Sequence, residues 1–409
     1  MHPIINIWSV YVMHILAPVQ IMYIWYYTLM TLHVAINGFF WDKATVGVGQ
    51  YLHGFVNAIQ RIDAIQLTLI IPADTTPPPV PQGVRLHRVT TPFAGRSRNL
   101  AKLWFEQIAV PQAAQLIGAD LLHVPYFAPP YHSNIPVITT IPDLIPLTRP
   151  AYRGSALVRL YTALVTQAVK RSHGIIAISQ YVADQTVQLL AYPNDQISVT
   201  HLAADPIYTP QADAVAVVAQ HGIVGPYIYY VGGYDERKNV VTLLRAFATL
   251  PATIRNHTWL VLAGQAAGNN PVLFPDIDQE IATLGIGARV KRVTVSRDAG
   301  PAFYSAATLF AYPSLAEGFG LPPLEAMACG TPVLVSNRTS LPEVVGDAAR
   351  SIDPTSVGAW RDALAQLLSD PAQRQHLRAA GMHRASRFSY AVTATQTAAI
   401  YARIAAQVL

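Results

Sequence analysis

The chain has 409 residues, room for two domains of ordinary size, each with a core of its own. With 52% hydrophobic and only 12% charged residues, its composition excludes a disordered chain. The net charge of +5 is modest, and no zinc-ligand spacing or aromatic–basic interleaving supports nucleic-acid binding; the single cysteine, Cys329, excludes an internal disulfide and fits a reducing compartment.

Residues 1–41 carry no Lys, Arg, Asp or Glu. Residues 1–31 read as an apolar extension, with three origins open: non-native sequence from an upstream start codon, a membrane anchor, or a core element. Pro3, Pro18 and the absence of a basic flank count against an anchor or signal peptide. From Leu32, residues 32–38 read as a buried strand and turn, and Gly47 and Gly49 open a helix over 47–59. Glycines there let backbone approach a ligand, although a tight turn explains them equally well. Short apolar runs at 67–71, 121–124, 137–141, 174–179 and 197–201 alternate with helical stretches, which predicts a doubly wound parallel sheet. The proline-rich 75–81 segment reads as a surface loop. Arg85, Arg88, Arg96, Arg98 and Lys102 follow in a stretch without carboxylates. They form either a solvated face or a patch for anionic lipid or a lipid-diphosphate acceptor.

Residues 205–225 read as a linker between a domain at 32–204 and a second at 226–386. The second opens with a strand at 227–231, then Gly232-Gly233 and a helix over 240–250. Strands at 259–263 and 290–293 follow, and helices over 357–368 and 391–408 end the chain. Between them lies Glu317-Gly318-Phe319-Gly320-Leu321-Pro322-Pro323-Leu324-Glu325, flanked by apolar runs at 308–312 and 332–335. The prolines suit the first turn of a helix that ends at Gly330, a placement that puts Glu317 in a loop and Glu325 in the first turn. Free N–H groups and the macrodipole there favour an anion such as a diphosphate, and a carboxylate on each side can accept hydrogen bonds from sugar hydroxyls. Strand, loop, helix and strand form a β-α-β unit with its loop where open α/β sheets bind ligands. Cys329, in that helix, reads as a packed thiol.

The stretch 304–354 resembles the retaining glycosyltransferases of family 4, whose donor site carries two glutamates separated by seven residues. The likeness runs through Tyr312-Pro313-Ser314, Glu317-Gly318-Phe319-Gly320, Glu325-Ala326-Met327-Ala328, Gly330-Thr331-Pro332-Val333, Ser340-Leu341-Pro342-Glu343 and Gly346-Asp347-Ala348-Ala349. It implies the GT-B architecture of two Rossmann-like domains facing a cleft, with the last helix, in residues 387–409, crossing back to the first domain. It also implies that Glu317 contacts the donor sugar, that Gly318, Phe319, Gly320 and Leu321 line the donor, and that Glu325 holds the ribose. Lys238 matches the family lysine that reaches the diphosphate. Gly232 lies beside it, and Arg237 stands in for an arginine that many members carry where this chain has Gly233. A salt bridge from Arg237 to Asp235 or Glu236 is the alternative. Gly47 and Gly49 fall near the acceptor.

Members often carry a histidine before an aspartate in the first domain; this chain keeps Asp143 but has Pro142 before it, which offers no side-chain hydrogen bond. Asp143 reads either as a catalytic group or as a turn or cap residue. No Asp-x-Asp pair is placed for a metal, so the protein itself is expected to supply positive charge, and no cofactor is expected. The resulting expectation is a retaining hexosyltransferase using a nucleotide-diphosphate sugar, GDP-mannose favoured, and a saccharide or lipid-linked acceptor. Its setting is surface polysaccharide synthesis in the cytoplasm or at the cytoplasmic membrane face, with Glu317 and Lys238 each costing more activity than stability when replaced by Ala. The alternatives are a GT-B protein that binds a sugar nucleotide without catalysis and a sugar-nucleotide epimerase.

Overall fold

The computed structural model describes residues 31–43, 46–265, 268 and 270–408, so the readings of residues 1–30 lie outside the described residues. Seven strands form the first sheet: β1 (Leu32–Asn37), β2 (Ile65–Pro72), β3 (Arg85–Val89), β4 (Leu121–Val124), β5 (Val137–Ile141), β6 (Gly174–Ala177) and β7 (Ile197–Val199). Their order is β3-β2-β1-β4-β5-β6-β7, parallel throughout. The second sheet holds β8 (Tyr227–Val231), β9 (Trp259–Ala263), β10 (Val290–Val293), β11 (Leu309–Tyr312), β12 (Val333–Ser336) and β13 (Arg350–Ile352). It is parallel too, in the order β10-β9-β8-β11-β12-β13. The central strands β4, β5, β11 and β12 are buried along their whole length, which explains their unbroken apolar runs. β3 and β13 are edge strands with exposed arginines, Arg85 and Arg350, and carry no such signal. What reads in sequence as part of a basic face therefore includes a strand.

Among the helices are α1 (Gly47–Ile59), α2 (Gln180–Leu190), α3 (Gly300–Ser305), α4 (Leu321–Ala328), α5 (Pro371–Ala385) and α6 (Tyr390–Val408). α1 buries Tyr51, Leu52, Phe55, Val56 and Ile59, the apolar positions of a helical repeat. Within the expected linker, Ala214–Ala219 is a short helix packed on α3 through buried Ala214 and Val218.

α6 lies on α1 and so ties the end of the chain to the first domain. Two glycines make room for it. A Cβ on Gly54 would stand 2.1 Å from the Tyr390 ring, and one on Gly174 would stand 2.4 Å from Ile404 Cδ1. Tyr401 Oη lies 2.6 Å from His123 Nδ1, whose Nε2 is 2.8 Å from Thr140 Oγ1. Burial lowers this imidazole to about 3, so the ring is neutral, with one nitrogen donating and the other accepting.

Candidate active site

Each sheet changes direction next to its first strand, between β1 and β4 and between β8 and β11. The loops leaving the carboxyl ends of those strands face one another across a cleft of about 740 Å³.

On the second-domain wall, residues 232–239 and 313–320 are bound into one unit. Gly232 adopts φ +148°, and Gly264 passes so close that a Cβ there would meet the Gly232 carbonyl oxygen at 1.8 Å. Asn239, at φ +54°, donates its side-chain amide to the Pro313 carbonyl (3.1 Å) and the Pro354 carbonyl (2.8 Å). Leu315 N–H donates to the Arg237 carbonyl at 2.7 Å. This scaffold sets Glu317 among donors. Its Oε1 accepts from Lys238 Nζ (2.8 Å), Tyr312 Oη (2.9 Å) and Ser314 Oγ (2.6 Å), while its Oε2 accepts from Arg237 Nη1 (3.0 Å). Lys238 Nζ also donates to Tyr312 Oη at 2.6 Å. Burial works to raise the Glu317 carboxyl, but the Lys238 ammonium and the Arg237 guanidinium outweigh it and hold the group at about 2. Glu317 is ionised across the physiological range.

Arg237 makes the salt bridge to Asp235 that is one of its two expected readings, and it pairs with Glu317 as well. Its Nε lies 3.3 Å from Asp235 Oδ1 and its Nη1 3.0 Å from Glu317 Oε2, on a side chain only 15% exposed. The turn is therefore part of the cleft and not a solvated loop.

Glu325 departs from expectation in one respect. α4 begins at Leu321, so Glu325 is its fifth residue and sits in the second turn, with no acidic residue in the first. Pro322 and Pro323 carry no N–H, which leaves Leu321 as the only backbone donor among the first three helix residues. Anion binding here thus depends less on the helix end than the motif suggests. Glu325 is buried; Tyr304 Oη donates to its Oε2 at 2.9 Å, and burial pushes its carboxyl up to about 7. Gly330 follows the helix at φ +74°, and burial pushes the Cys329 thiol up to about 12, which makes it a packed residue without nucleophilic character.

The first-domain wall meets this unit through the Pro142 backbone and through the side chains of Arg149, Tyr152 and Ser179. Asp143 lines the cleft, and its Oδ1 accepts from Ile145 N–H at 3.0 Å, the bond of a turn residue; burial raises its carboxyl. The Pro142 carbonyl faces Gly318, where a Cβ would stand 1.8 Å from its oxygen. Ser179 Oγ donates to the Gly318 carbonyl at 2.7 Å. Phe319 is buried between the His201 and Phe388 rings, and Gly320 (φ +123°) immediately precedes α4. Gly47 lines the cleft with open space at its Cβ position. Gly49 does not: a Cβ there would meet the Lys43 carbonyl oxygen at 1.9 Å, so the turn accounts for it.

Several contacts across the cleft have no local sequence signal. Arg149 Nη1 pairs with Glu236 Oε2 at 2.7 Å, and Tyr152 Oη donates to Asp235 Oδ1 at 2.6 Å. Glu343 accepts from Gln180 N–H (2.8 Å) and Tyr181 N–H (3.2 Å) at the start of α2, and lies 2.8 Å from His201 Nε2. Arg297, paired with Asp205, adds a cation to the cleft that sequence reasoning missed. Among the described residues, no group of three or more His, Cys, Asp or Glu side chains is arranged to hold a metal ion.

The profile described as "Glycosyl transferases group 1" matches residues 219–384, and that of "Glycosyltransferase Family 4" matches residues 46–207. The O-antigen chain mannosyltransferase B of Escherichia coli is 34% identical over 284 residues, covering 69% of this chain and 74% of that protein. The MMP alpha-(1->4)-mannosyltransferase of Mycolicibacterium hassiacum is 30% identical over 72% of this chain and 70% of its own. A sucrose-phosphate synthase from Thermosynechococcus elongatus superposes with a TM-score of 0.72 over 92% of this chain and all of its own; at 21% identity this likeness speaks to the fold, which is GT-B. With both domains matched and a relative so similar across most of its length, the chain belongs to the group 1 glycosyltransferases of family 4.

Proposed function

We propose that this glycosyltransferase moves a hexose, mannose in the favoured reading, from a nucleotide-diphosphate sugar such as GDP-mannose to a saccharide or lipid-linked acceptor. The anomeric configuration is retained, and neither a metal nor another cofactor takes part. The observation that carries the reading is Glu317, ionised and held between Lys238 and Arg237 in the same cleft as Glu325. A fixed carboxylate accepts from sugar hydroxyls. The ammonium and guanidinium beside it retain donors for the departing diphosphate, whose charge they stabilise without reorganising. Elsewhere on the lining of the same cleft, Glu325 is suited to accept from ribose hydroxyls once ionised. Because both cations come from the turn after β8, the diphosphate belongs at the second-domain wall and the acceptor at the first, near Gly47 and Asp143.

Retention rests on the family likeness: the acceptor attacks the face from which the nucleotide leaves, and its proton passes to a phosphate oxygen. The mannosyl preference rests on the two mannosyltransferase relatives, and the setting in surface polysaccharide synthesis on the O-antigen chain named for the first; action at the cytoplasmic membrane face belongs to the same proposal. No helix among the described residues is long and apolar enough to cross a membrane. A second reading, a sugar-nucleotide-binding protein without turnover, draws on Pro142, which contributes a carbonyl where many relatives have a histidine side chain.

The deciding experiment incubates the protein with GDP-mannose and with UDP- and dTDP-hexoses, with and without membrane extract, and follows nucleotide release and product anomer. Release with an α-linked product supports the transferase; tight nucleotide binding without turnover on any acceptor supports the second reading.

A further inference from the structure

Beyond the cleft, a second cavity of about 410 Å³ opens in the first domain outside the carboxyl ends of β1, β2 and β3. Lys43, Arg96, Arg98 and Lys102 line it with Phe39 and Phe93, and the carboxylates on its wall are Asp42 and Asp74. Residues 39–43 separate the two cavities: Phe40 lines the cleft, whereas Phe39 and Lys43 line the second cavity. The two sites are neighbours on the same edge of one sheet.

The cations are held in place from beneath. Lys102 Nζ lies 3.2 Å from Oε1 of Glu106, a fully buried carboxylate that also accepts from Tyr126 Oη (2.9 Å) and Tyr161 Oη (2.7 Å). Lys43 Nζ stands 4.3 Å from the Phe39 ring centroid, and Lys102 Nζ approaches the same ring at 5.7 Å. Burial, followed by the nearby Arg98 and Lys102, pushes the Lys43 ammonium below its usual range against the pull of Asp42. Arg96 and Arg98 form no ion pair with a carboxylate among the described residues. Lys43 pairs with Asp42 at 3.8 Å and Lys102 with Glu106, so Arg96 and Arg98 are the cations of this wall left for an anion to share.

The basic stretch noted in the sequence therefore divides. Arg88 serves the fold, with Nη1 donating to the Ala73 (3.2 Å) and Thr75 (3.0 Å) carbonyls. Arg96, Arg98 and Lys102 instead face the cavity.

We propose that this cavity binds a phosphoryl group carried by the acceptor, on the far side of residues 39–43 from the sugar being transferred; the assignment rests on the transferase reading above. Guanidinium groups match phosphate oxygens in a two-pronged fashion, and ammonium groups add point charge. The flanking Phe39 and Phe93 suit the apolar face of a sugar or a lipid stem. The phosphoryl group belongs either to a soluble sugar phosphate or to a lipid-linked acceptor, and its chemistry is the same in both.

The test compares the full chain with an Arg96→Gln/Arg98→Gln variant. Neither arginine holds a protein carboxylate, so the fold should persist, as an unchanged melting temperature would verify. Calorimetry measures binding of α-mannose 1-phosphate and of methyl α-mannoside, and sedimentation measures binding to phosphatidylglycerol–phosphatidylcholine vesicles. The variant should lose on the order of tenfold or more in affinity for a phosphate-bearing probe, the usual worth of charged hydrogen bonds, while methyl α-mannoside and GDP bind as before. Arg98→Lys should retain part of that affinity. Loss on mannose 1-phosphate identifies a soluble sugar phosphate, and loss on vesicles alone identifies a lipid phosphate. Equal affinity of variant and wild type for both phosphate probes, or no binding of either probe by the wild type, overturns the proposal. GDP binding is read independently: a wild type that binds mannose 1-phosphate through Arg96 and Arg98 but fails to bind GDP defeats the transferase reading and not the phosphoryl site.

Discussion

On the second-domain wall of the cleft, Lys238, Arg237, Tyr312, Ser314 and Glu317 hold one another through charged hydrogen bonds. On the first-domain wall, Pro142 presents a carbonyl, Gly47 presents backbone, and Asp143 spends one oxygen on its own turn. One wall is bound together by charge; the other supplies shape and is tied to it by Arg149–Glu236 and Tyr152–Asp235. In the proposed reaction, electrostatic stabilisation of the leaving group falls to the first wall and positioning of the acceptor to the second.

The comparison fails at its strongest point if charge on the second-domain wall is dispensable. Lys238→Ala should lower kcat by about 100- to 1,000-fold, the range seen when a single transition-state donor is removed, with only a small shift in melting temperature because Arg237 still pairs with Glu317. Glu317→Ala should differ from Lys238→Ala in costing stability as well as activity. It leaves Lys238 and Arg237 side by side without their carboxylate, so it should also cost about 3 kcal/mol in a denaturant melt. A Glu317→Ala variant as stable as the wild type would show that the pair is not a coupled unit.

Contact between the walls is tested by Gly318→Ala, whose added Cβ would stand 1.8 Å from the Pro142 carbonyl oxygen. Overpacking of this kind costs about 1–3 kcal/mol, which should appear as an activity loss of at least tenfold while the two domains stay folded. Full activity would mean that the two walls need not touch.

pH separates the two glutamates by a smaller effect. Burial raises Glu325 to about 7 from an ordinary value of 4.5, so the folded state holds an extra proton between those values. Its contribution to stability falls as pH rises through that window and levels off above about 7. Donor KM should fall severalfold as pH rises through about 7 and Glu325 becomes a full acceptor, and Glu325→Gln should flatten that profile. Glu317, lowered to about 2, has the opposite sign: its stabilisation is complete above 4.5 and disappears only as pH falls toward 2. The smallest effect belongs to Tyr401→Phe, which removes the hydroxyl hydrogen-bonded to a buried neutral His123; it should cost about 1–2 kcal/mol in thermal unfolding and leave kcat unchanged.

Much of the second wall was legible because its parts are contiguous. Residues 304–354 carry β11, the Glu317 loop and α4 in one run, and the turn after β8 follows a strand that apolar pattern alone locates. Glu325 was misplaced by one turn because two prolines set where the helix begins only together with the glycine before them. The edge strands β3 and β13 were missed because half-exposed strands lack an apolar run. α5 was missed because few of its residues are buried.

By itself the sequence determined the alternation of strands and helices, the parallel sheets, and a glutamate motif specific enough to point to a family. Each of these is written in local periodicity or in neighbouring residues, where propensity and burial act over a few positions. The tertiary structure alone decided that Lys238 and Arg237 meet Glu317 across 79 and 80 residues, and that Ser179 reaches the Gly318 carbonyl across 139. It also decided which of the basic residues face a cavity. Such contacts depend on how two sheets pack and close, and no short stretch of chain carries that information.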